Sequence, residues 1–560
     1  MKQHPKTAAR KRHAAEEALP RREPVAGRFL AFIERRALWI VLSLVLLGSL
    51  RIVSTYTVFN QTWDEPAHIA CGMEWLQKGV YAWEPQHPPL ARVATALLPY
   101  VIGLRETDPP PQGRYGKFLD GAAILYSGGH YDRNLALARL GILPFFWIGC
   151  WVVYAWGQRM FRPAVGVAAV FLFSFLPPVL AHAGLATTDM AVTALMGAAF
   201  LAGMIWLEEP TWSRAVWFGV AAGLMTLSKF SALVFFPVSA ILALAWYVYG
   251  EKPGWSALAI AAKARIPSFG LALLTGAMVI WAGYRFSFGD AGFWHLRLPA
   301  PELYAGIRQV MQHNEIGQDT YLLGTRGRTG FWSFFLVALG VKSPLPFLVL
   351  SAGGVFLAFR GSPGSKALRT LVGFSAGILA VAMFSRINIG IRHILPIYVG
   401  LSLLSAVALV KWMETEGHRQ WLQLILAGFL VWMAGTSLLS HPDYLPYFNE
   451  LAGSEPEKVL VDSDLDWGQD LKRLAARLRE LGVSDLTFDP YMPGNVEAQL
   501  GFPRIHPINP AAPSVGWNAI GVTLWKQSGL IRWPDLVKPQ ERVGKSILLW
   551  YFPPAPASRP

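Results

Sequence analysis

Apolar residues in this chain come in long blocks rather than alternating with polar ones. Eleven blocks stand out, at residues 37–56, 137–156, 164–181, 188–207, 215–229, 231–249, 266–284, 331–357, 370–385, 393–410 and 421–440. A helix crosses a hydrocarbon core of about 30 Å with about 20 such residues, so the blocks predict transmembrane helices. Lys229 splits one continuous apolar run, which makes 215–249 the least certain pair. The block at 90–104 is too short to span and predicts a helix lying along the membrane interface. The pattern shows no internal repeat, so it gives no support to a repeat-built transporter.

Composition sharpens this picture. The chain has 560 residues, 53% of them apolar and only 15% charged, where soluble domains carry about a quarter. A string of soluble domains, a disordered chain, a collagen and a coiled coil are all excluded. The two cysteines, Cys71 and Cys150, make neither a disulfide framework nor a metal motif.

The net charge of +14 fits nucleic acid or a topology signal, and its placement decides. Residues 1–36 hold ten Lys or Arg against four acids, with no apolar run, and read as a disordered basic cytoplasmic tail. The first apolar block lies too far from the N-terminus for a cleaved signal and reads as an uncleaved first span. With the tail inside, eleven spans put the C-terminus outside. The short loops then assigned to the inside, from Arg159 to Arg419, hold eleven basic and five acidic residues. The loop 57–136, assigned outside, holds six basic and eight acidic residues, the asymmetry of the positive-inside rule. The tail has neither interleaved aromatics nor a nucleic-acid-binding fold, so no nucleic acid partner is expected.

Three outer segments are long enough to carry function: 57–136, 285–330 and 441–560. The last reads as a small α/β domain. Strands are expected at Lys458–Asp462, Asp485–Asp489, 518–525 and 545–551. A helix capped by Asp464 or Asp466 runs to about Leu481, and the strand–helix–strand order predicts a partly parallel sheet. The fold class is therefore an all-α polytopic membrane protein of about eleven spans with a small C-terminal α/β extracytoplasmic domain. Its divisions are the tail 1–36, a membrane domain 37–440 and the outer domain 441–560.

Candidate chemistry clusters at one membrane face. Thr62-Trp63-Asp64-Glu65-Pro66-Ala67-His68 follows the first span directly. Paired carboxylates there are either a solvated helix start, with Asp64 as N-cap, or a functional pair. His87-Pro88-Pro89-Leu90 fixes an extended turn and then permits a helix. Asp189, in Ala186-Thr187-Thr188-Asp189, is an N-cap or a second acidic site at the outer end of a span. Lys229 and Lys342 are intramembrane lysines, costly unless paired or snorkelling. Arg386, Arg392 and His393 crowd a short outer turn that suits either headgroup anchoring or a phosphate clamp. The acidic run Asp462–Asp470 can cap a helix, hold a cation or bind an acceptor hydroxyl.

Asp64-Glu65-x-x-His68, Gly79-x-Tyr81 and His87-Pro88-Pro89-Leu90-Ala91-Arg92 together resemble the first luminal loop of the protein O-mannosyltransferase family. Their outline is similar to that of the aminoarabinose transferases of lipid A and other polyprenyl-phosphate-dependent members of the C-type glycosyltransferase superfamily. The resemblance covers roughly residues 37–440; residues 441–560 match no domain of the protein O-mannosyltransferases. It implies a glycosyltransferase that moves a hexose or pentose from a polyprenyl-phosphate carrier to an acceptor hydroxyl, with inversion, at the extracytoplasmic face of the inner (plasma) membrane. Asp64 becomes the general base, Glu65 and His68 orient it or the acceptor, and His87, Asp189, Lys229, Lys342, Arg386, Arg392 and His393 meet the donor. No cofactor is required and a divalent cation is compatible. The expected partners are the lipid-phosphate sugar, the bilayer, and a protein, lipid or glycan acceptor. The rival reading is a polytopic transporter or flippase of a lipid-linked or anionic substrate, using the same charges as a path.

Overall fold

The computed structural model describes residues 25–292, 296–361, 364–414 and 420–554. Residues 1–24 of the expected tail, with Glu416 and Arg419 of the inner loops, lie outside the described residues. The expectation of disorder does not extend to the tail's end, because Val25–Arg35 forms a helix of its own.

All eleven apolar blocks are helical. Among the described residues, six helices are long and apolar enough to cross a membrane, and nine if each bent pair counts as one span. The block 331–357 departs from the single span expected: it forms Phe334–Lys342 and Leu345–Phe359, bent by 118°. Ser343 and Pro344 are extended, with ψ of 138° at both, and a proline cannot continue the helical hydrogen-bond ladder. The apolar core packs around Trp156, Phe173, Phe374 and Tyr398, while large side chains such as Trp217, Leu424 and Val431 stay on the outer faces of their helices.

Loops assigned to the inner side meet at one end of the bundle. Arg162 Nε donates to Glu34 Oε1 at 2.6 Å, and its Nη1 pairs with Glu414. Lys366 Nζ lies 2.6 Å from Glu251.

The opposite end carries the long segments. Residues 65–78 and 89–101 form two packed helices, each with a proline in its first turn. A Cβ at Gly72 would sit 2.0 Å from the Arg92 carbonyl, so only glycine lets the two helices approach this closely. Two short hairpins follow, β1 (Phe288–Asp290) with β2 (Arg297–Pro299) and β3 (Thr320–Leu322) with β4 (Thr325–Gly327).

The C-terminal region holds a five-stranded mixed sheet. Its strands are β5 (Asp485–Thr487), β6 (Arg504–His506), β7 (Gly516–Gly521), β8 (Glu541–Val543) and β9 (Ile547–Phe552), in the order β6-β5-β7-β9-β8. β5 pairs in parallel with β6 and β7, and β9 is antiparallel to β7 and β8. The helix Leu471–Glu480 packs Leu474 and Leu478 against Leu486 and Leu549.

The strand expected at Lys458–Asp462 is absent. Short 3-10 turns, Pro456–Lys458 and Asp462–Asp464, replace it; Val459 O accepts from Leu323 N at 3.0 Å and Asp462 N donates to Thr523 Oγ1 at 2.9 Å, so neither joins a sheet ladder. Asp464 O accepts from Lys342 Nζ at 2.5 Å. The helix begins at Leu471, with Asp470 rather than Asp464 or Asp466 at its N-cap position, and the Asp470 side chain makes no capping bond.

Candidate active site

The first outer loop places adjacent acids in opposite settings. Asp64 stands at the N-cap of helix Glu65–Lys78, yet its side chain makes no capping bond. Its Oδ2 instead accepts from Arg392 Nη1 at 3.0 Å. Glu65 points inward and is fully buried. Its carboxylate accepts from Arg139 Nε and Nη2, each at 2.8 Å, from Ala186 N at 2.8 Å and from Thr62 N at 2.7 Å. Burial alone would raise its pKa, but Arg139 and these hydrogen bonds hold it below the usual carboxylate range.

The two histidines of this loop share a second buried pair. Arg92 ion-pairs with Glu84, and its Nη1 donates to Tyr81 Oη at 3.1 Å and to Glu84 O at 2.8 Å. Arg92 Nε donates to His68 Nδ1 at 3.0 Å, and Arg92 Nη2 lies 3.1 Å from His87 Nδ1. Burial lowers the pKa of both histidines, and the Arg92 charge adds to the effect. Both are therefore neutral imidazoles near pH 7, available as hydrogen-bond donors rather than cations.

Arg392 is the hub of the third group. It lies in the turn Ile391–Ile394, before helix Ile397–Met413. Besides Asp64, its Nη1 sits 3.7 Å from Asp189 Oδ2. Asp189 is buried at its helix start and is ion-paired to Lys229 Nζ at 2.6 Å. From the C-terminal domain, Ser463 Oγ accepts from Arg392 Nε at 3.0 Å, and the guanidinium stacks over Trp467 with 4.1 Å to the ring. A Cβ at Gly390 would sit 2.4 Å from Ser463 Oγ, and φ there is +148°, so this approach of two turns requires glycine. His393 joins the same turn; burial and the neighbouring Lys229 and Arg392 charges hold it well below the usual imidazole range.

These groups face one cavity of about 1250 Å³. Asp64, His68, His87, Lys229, Arg392 and His393 line it, together with Glu84 and Arg92. At one end its wall is apolar, with Val234, Phe235, Val381 and Phe384 at the ends of helices Ala232–Glu251 and Ser365–Ala382. At the other end its wall comes from the C-terminal domain, with Asp462, Asp466, Trp467 and Tyr491. Burial pushes Asp462 up to about 6 and Asp466 up to about 7. Among the described residues, no group of three or more His, Cys, Asp or Glu is placed to hold a metal ion.

Residues 134–281 match the family model of dolichyl-phosphate-mannose-protein mannosyltransferases. The structure of ArnT from Cupriavidus metallidurans bound to undecaprenyl phosphate is similar over 91% of this chain and 98% of that one, with a TM-score of 0.52 and 13% identity. The chain shares its fold with that protein. The apo form of the same ArnT covers 91% of this chain and 97% of its own at a TM-score of 0.47 and 13% identity. The Archaeoglobus fulgidus oligosaccharyltransferase tethered to an acceptor peptide covers 87% of this chain and 62% of its own, at a TM-score of 0.47 and 12% identity. No curated protein sequence matches the chain.

Not every expected residue reaches the cavity. Glu65 is a buried anchor bound to Arg139, away from the cavity wall. Asp189 sits behind Lys229 and Arg392. Lys342 donates to Leu445 O at 2.7 Å and to Asp464 O, and lies over Phe448. It pins the C-terminal segment at the break in the helix pair and is not part of the cavity wall. Arg386 is exposed beside the cavity and donates to Glu315 O at 3.1 Å. Sequence reasoning missed Glu84 and Arg139 as partners, and Ser463 and Trp467 as the holders of Arg392. The Arg92 of the His-Pro-Pro-Leu-Ala-Arg segment was the one signal in view for the Glu84 pair.

Proposed function

We propose that this multi-pass membrane protein is a glycosyltransferase. It moves a hexose or pentose from a polyprenyl-phosphate carrier to an acceptor hydroxyl at the extracytoplasmic face. The observation that carries the reading is the contact of Asp64 Oδ2 with Arg392 Nη1 at 3.0 Å, on the wall of one cavity that runs from apolar helix ends to a polar outer domain. The apolar end suits a polyprenyl chain, and the fold is shared with a protein solved with undecaprenyl phosphate. The N-terminus inside and the C-terminal domain outside follow from the charge asymmetry of the loops.

In the reaction the acceptor oxygen attacks C1 and the bond from C1 to the phosphate oxygen breaks. The electron pair leaves with the phosphate, and the acceptor proton passes to Asp64. Phosphate is already a good leaving group, so its growing charge needs preorganised cations more than it needs an acid. Arg392 and Lys229 supply charge, and the neutral imidazoles of His87 and His393 supply N–H donors. A positioned carboxylate base is worth about 10²–10⁴-fold. A retaining route would need a nucleophilic carboxylate at C1. Asp189, the other acid beside Arg392, is buried and paired with Lys229, which favours inversion.

The test is a radiolabelled polyprenyl-phosphate sugar supplied to the purified protein in nanodiscs with a membrane extract as acceptor. The reading expects free carrier phosphate and a labelled acceptor. Movement of the intact lipid-linked sugar between leaflets, with no carrier phosphate released, would establish the transporter instead.

A further inference from the structure

We infer that the C-terminal domain builds the acceptor subsite, and that the acceptor it takes is a hydroxyl of a water-soluble glycan. This inference rests on the glycosyltransferase reading above and names its second substrate.

The cavity, at about 1250 Å³, exceeds the roughly 300–1,000 Å³ typical of a site for one small ligand. Its two ends differ in chemistry. The apolar end, with Val234, Phe235 and Val381, faces the membrane helices and is matched to the donor's lipid. The opposite end is aromatic and hydrogen-bonding.

Trp63, one residue from Asp64, stacks on Tyr491 of the C-terminal domain, with ring centroids 5.0 Å apart and 29° between planes. Phe118 lies 5.9 Å from Trp63. The Trp63 backbone is fixed to the C-terminal domain, because Trp63 N donates to Trp467 O at 3.1 Å. Tyr491 is 54% exposed and stands at φ +47°, so the chain keeps a large apolar ring at the cavity in a backbone state that tyrosine rarely adopts. A sugar presents a C–H face and a ring of hydroxyls. The aromatic faces suit the first, as flat apolar surfaces with a negative π cloud. The hydroxyls need acceptors, and Asp462, Asp466 and Gln527 line the same end.

Both acidic side chains keep hydrogen-bonding capacity for a hydroxyl. Asp462 Oδ1 takes Ser463 N at 2.6 Å and Oδ2 takes Gln527 Nε2 at 3.2 Å. Asp466 Oδ1 takes Gly468 N at 3.2 Å and Oδ2 takes Thr523 N at 3.0 Å. Each oxygen has two hydrogen-bonding positions, so one per oxygen is left to meet a hydroxyl, as acceptor or, where the proton sits, as donor.

A peptide bound as an added strand would need a free sheet edge. The edge strands β6 and β8 contribute no residue to the cavity wall among the described residues. The wall is formed instead where β5 and β7 end, by Phe488 and Gly521, which is where small ligands sit on parallel strands.

The test uses the full chain in nanodiscs containing undecaprenyl phosphate, titrated with neutral hexasaccharides, a Ser/Thr-containing peptide and a dispersed glycolipid. Calorimetry and tryptophan fluorescence are the readouts. The inference expects saturable binding of at least one hexasaccharide with a change in tryptophan emission. Tyr491→Ala and Asp462→Asn are each expected to weaken that binding about tenfold or more. Binding of the peptide or the glycolipid without any saccharide, or saccharide binding that Tyr491→Ala leaves intact, would overturn it. Undecaprenyl phosphate retention is measured in the same samples. If the lipid phosphate is not bound, the glycosyltransferase reading fails; if it is bound and only the saccharides fail, the acceptor assignment fails alone.

Discussion

Replacing Glu65 with Gln tests the division of labour between two adjacent acids. The carboxylate receives Arg139 and a backbone N–H on each oxygen: Ala186 N at Oε1 and Thr62 N at Oε2. An amide has one accepting oxygen, so one side must set its NH₂ against an Arg139 N–H and a backbone N–H. Arg139, whose side chain is 1% exposed, also loses its counter-charge. Removing one partner of a buried pair costs about 3–5 kcal/mol, largely the penalty of the charge left behind. At about 1.4 kcal/mol per decade, the unfolded fraction rises by roughly two to three and a half powers of ten. The expected result is a clearly lowered thermal unfolding midpoint in nanodiscs, with transfer per folded molecule kept within about tenfold of wild type. Neutralising both partners, Glu65→Gln with Arg139→Gln, is expected to recover much of the loss, giving a double-mutant coupling energy of several kcal/mol. A Glu65→Gln protein with wild-type stability and abolished transfer would refute this reasoning and return Glu65 to the chemistry.

Other outcomes follow from the same contacts. Lys342→Met removes the donor to Leu445 O and Asp464 O, so it is expected to lower the unfolding midpoint and raise protease sensitivity after residue 440, with little change in donor KM. Arg386→Ala, outside the cavity wall, is expected to leave transfer within about twofold of wild type, a surface-change magnitude. Asp466 has a folded pKa raised to about 7 by burial, so the folded state holds its proton while the unfolded state has already lost it. Stability therefore falls as pH rises from about 4 to about 7, and Asp466→Asn should gain on wild type at pH 8 and lose that advantage towards pH 4. Unfolding midpoints across pH check this; a difference independent of pH would count against it.

The membrane layout was legible because apolar block length is a strong local signal, and every block is helical. The break at Ser343-Pro344 was visible as prolines, but the capture of Lys342 beside it by carbonyls a hundred or more residues away was not. Asp64 and Glu65 are indistinguishable in sequence, since both are acids at a helix start. Arg392 and Arg139, distant in the chain, decide which of them faces the cavity. Likewise, Arg386 and Arg392 share one short turn, and only the approach of Ser463 and Trp467 singles out Arg392. The acidic run after residue 461 reads as capping because its real partners, Ile391 N and Thr523 N, lie in other elements.

The central claim is that Asp64 takes the acceptor proton beside a phosphate-binding Arg392. Asp64→Asn tests it most directly, because the amide oxygen can still accept from Arg392 while the basicity is gone. Single-turnover transfer from a radiolabelled polyprenyl-phosphate sugar is the measurement, with thermal unfolding and undecaprenyl phosphate binding recorded on the same protein. The account predicts a fall of about 10²–10⁴-fold in transfer with folding and lipid-phosphate binding retained. Transfer at the wild-type rate by the Asn variant would contradict it.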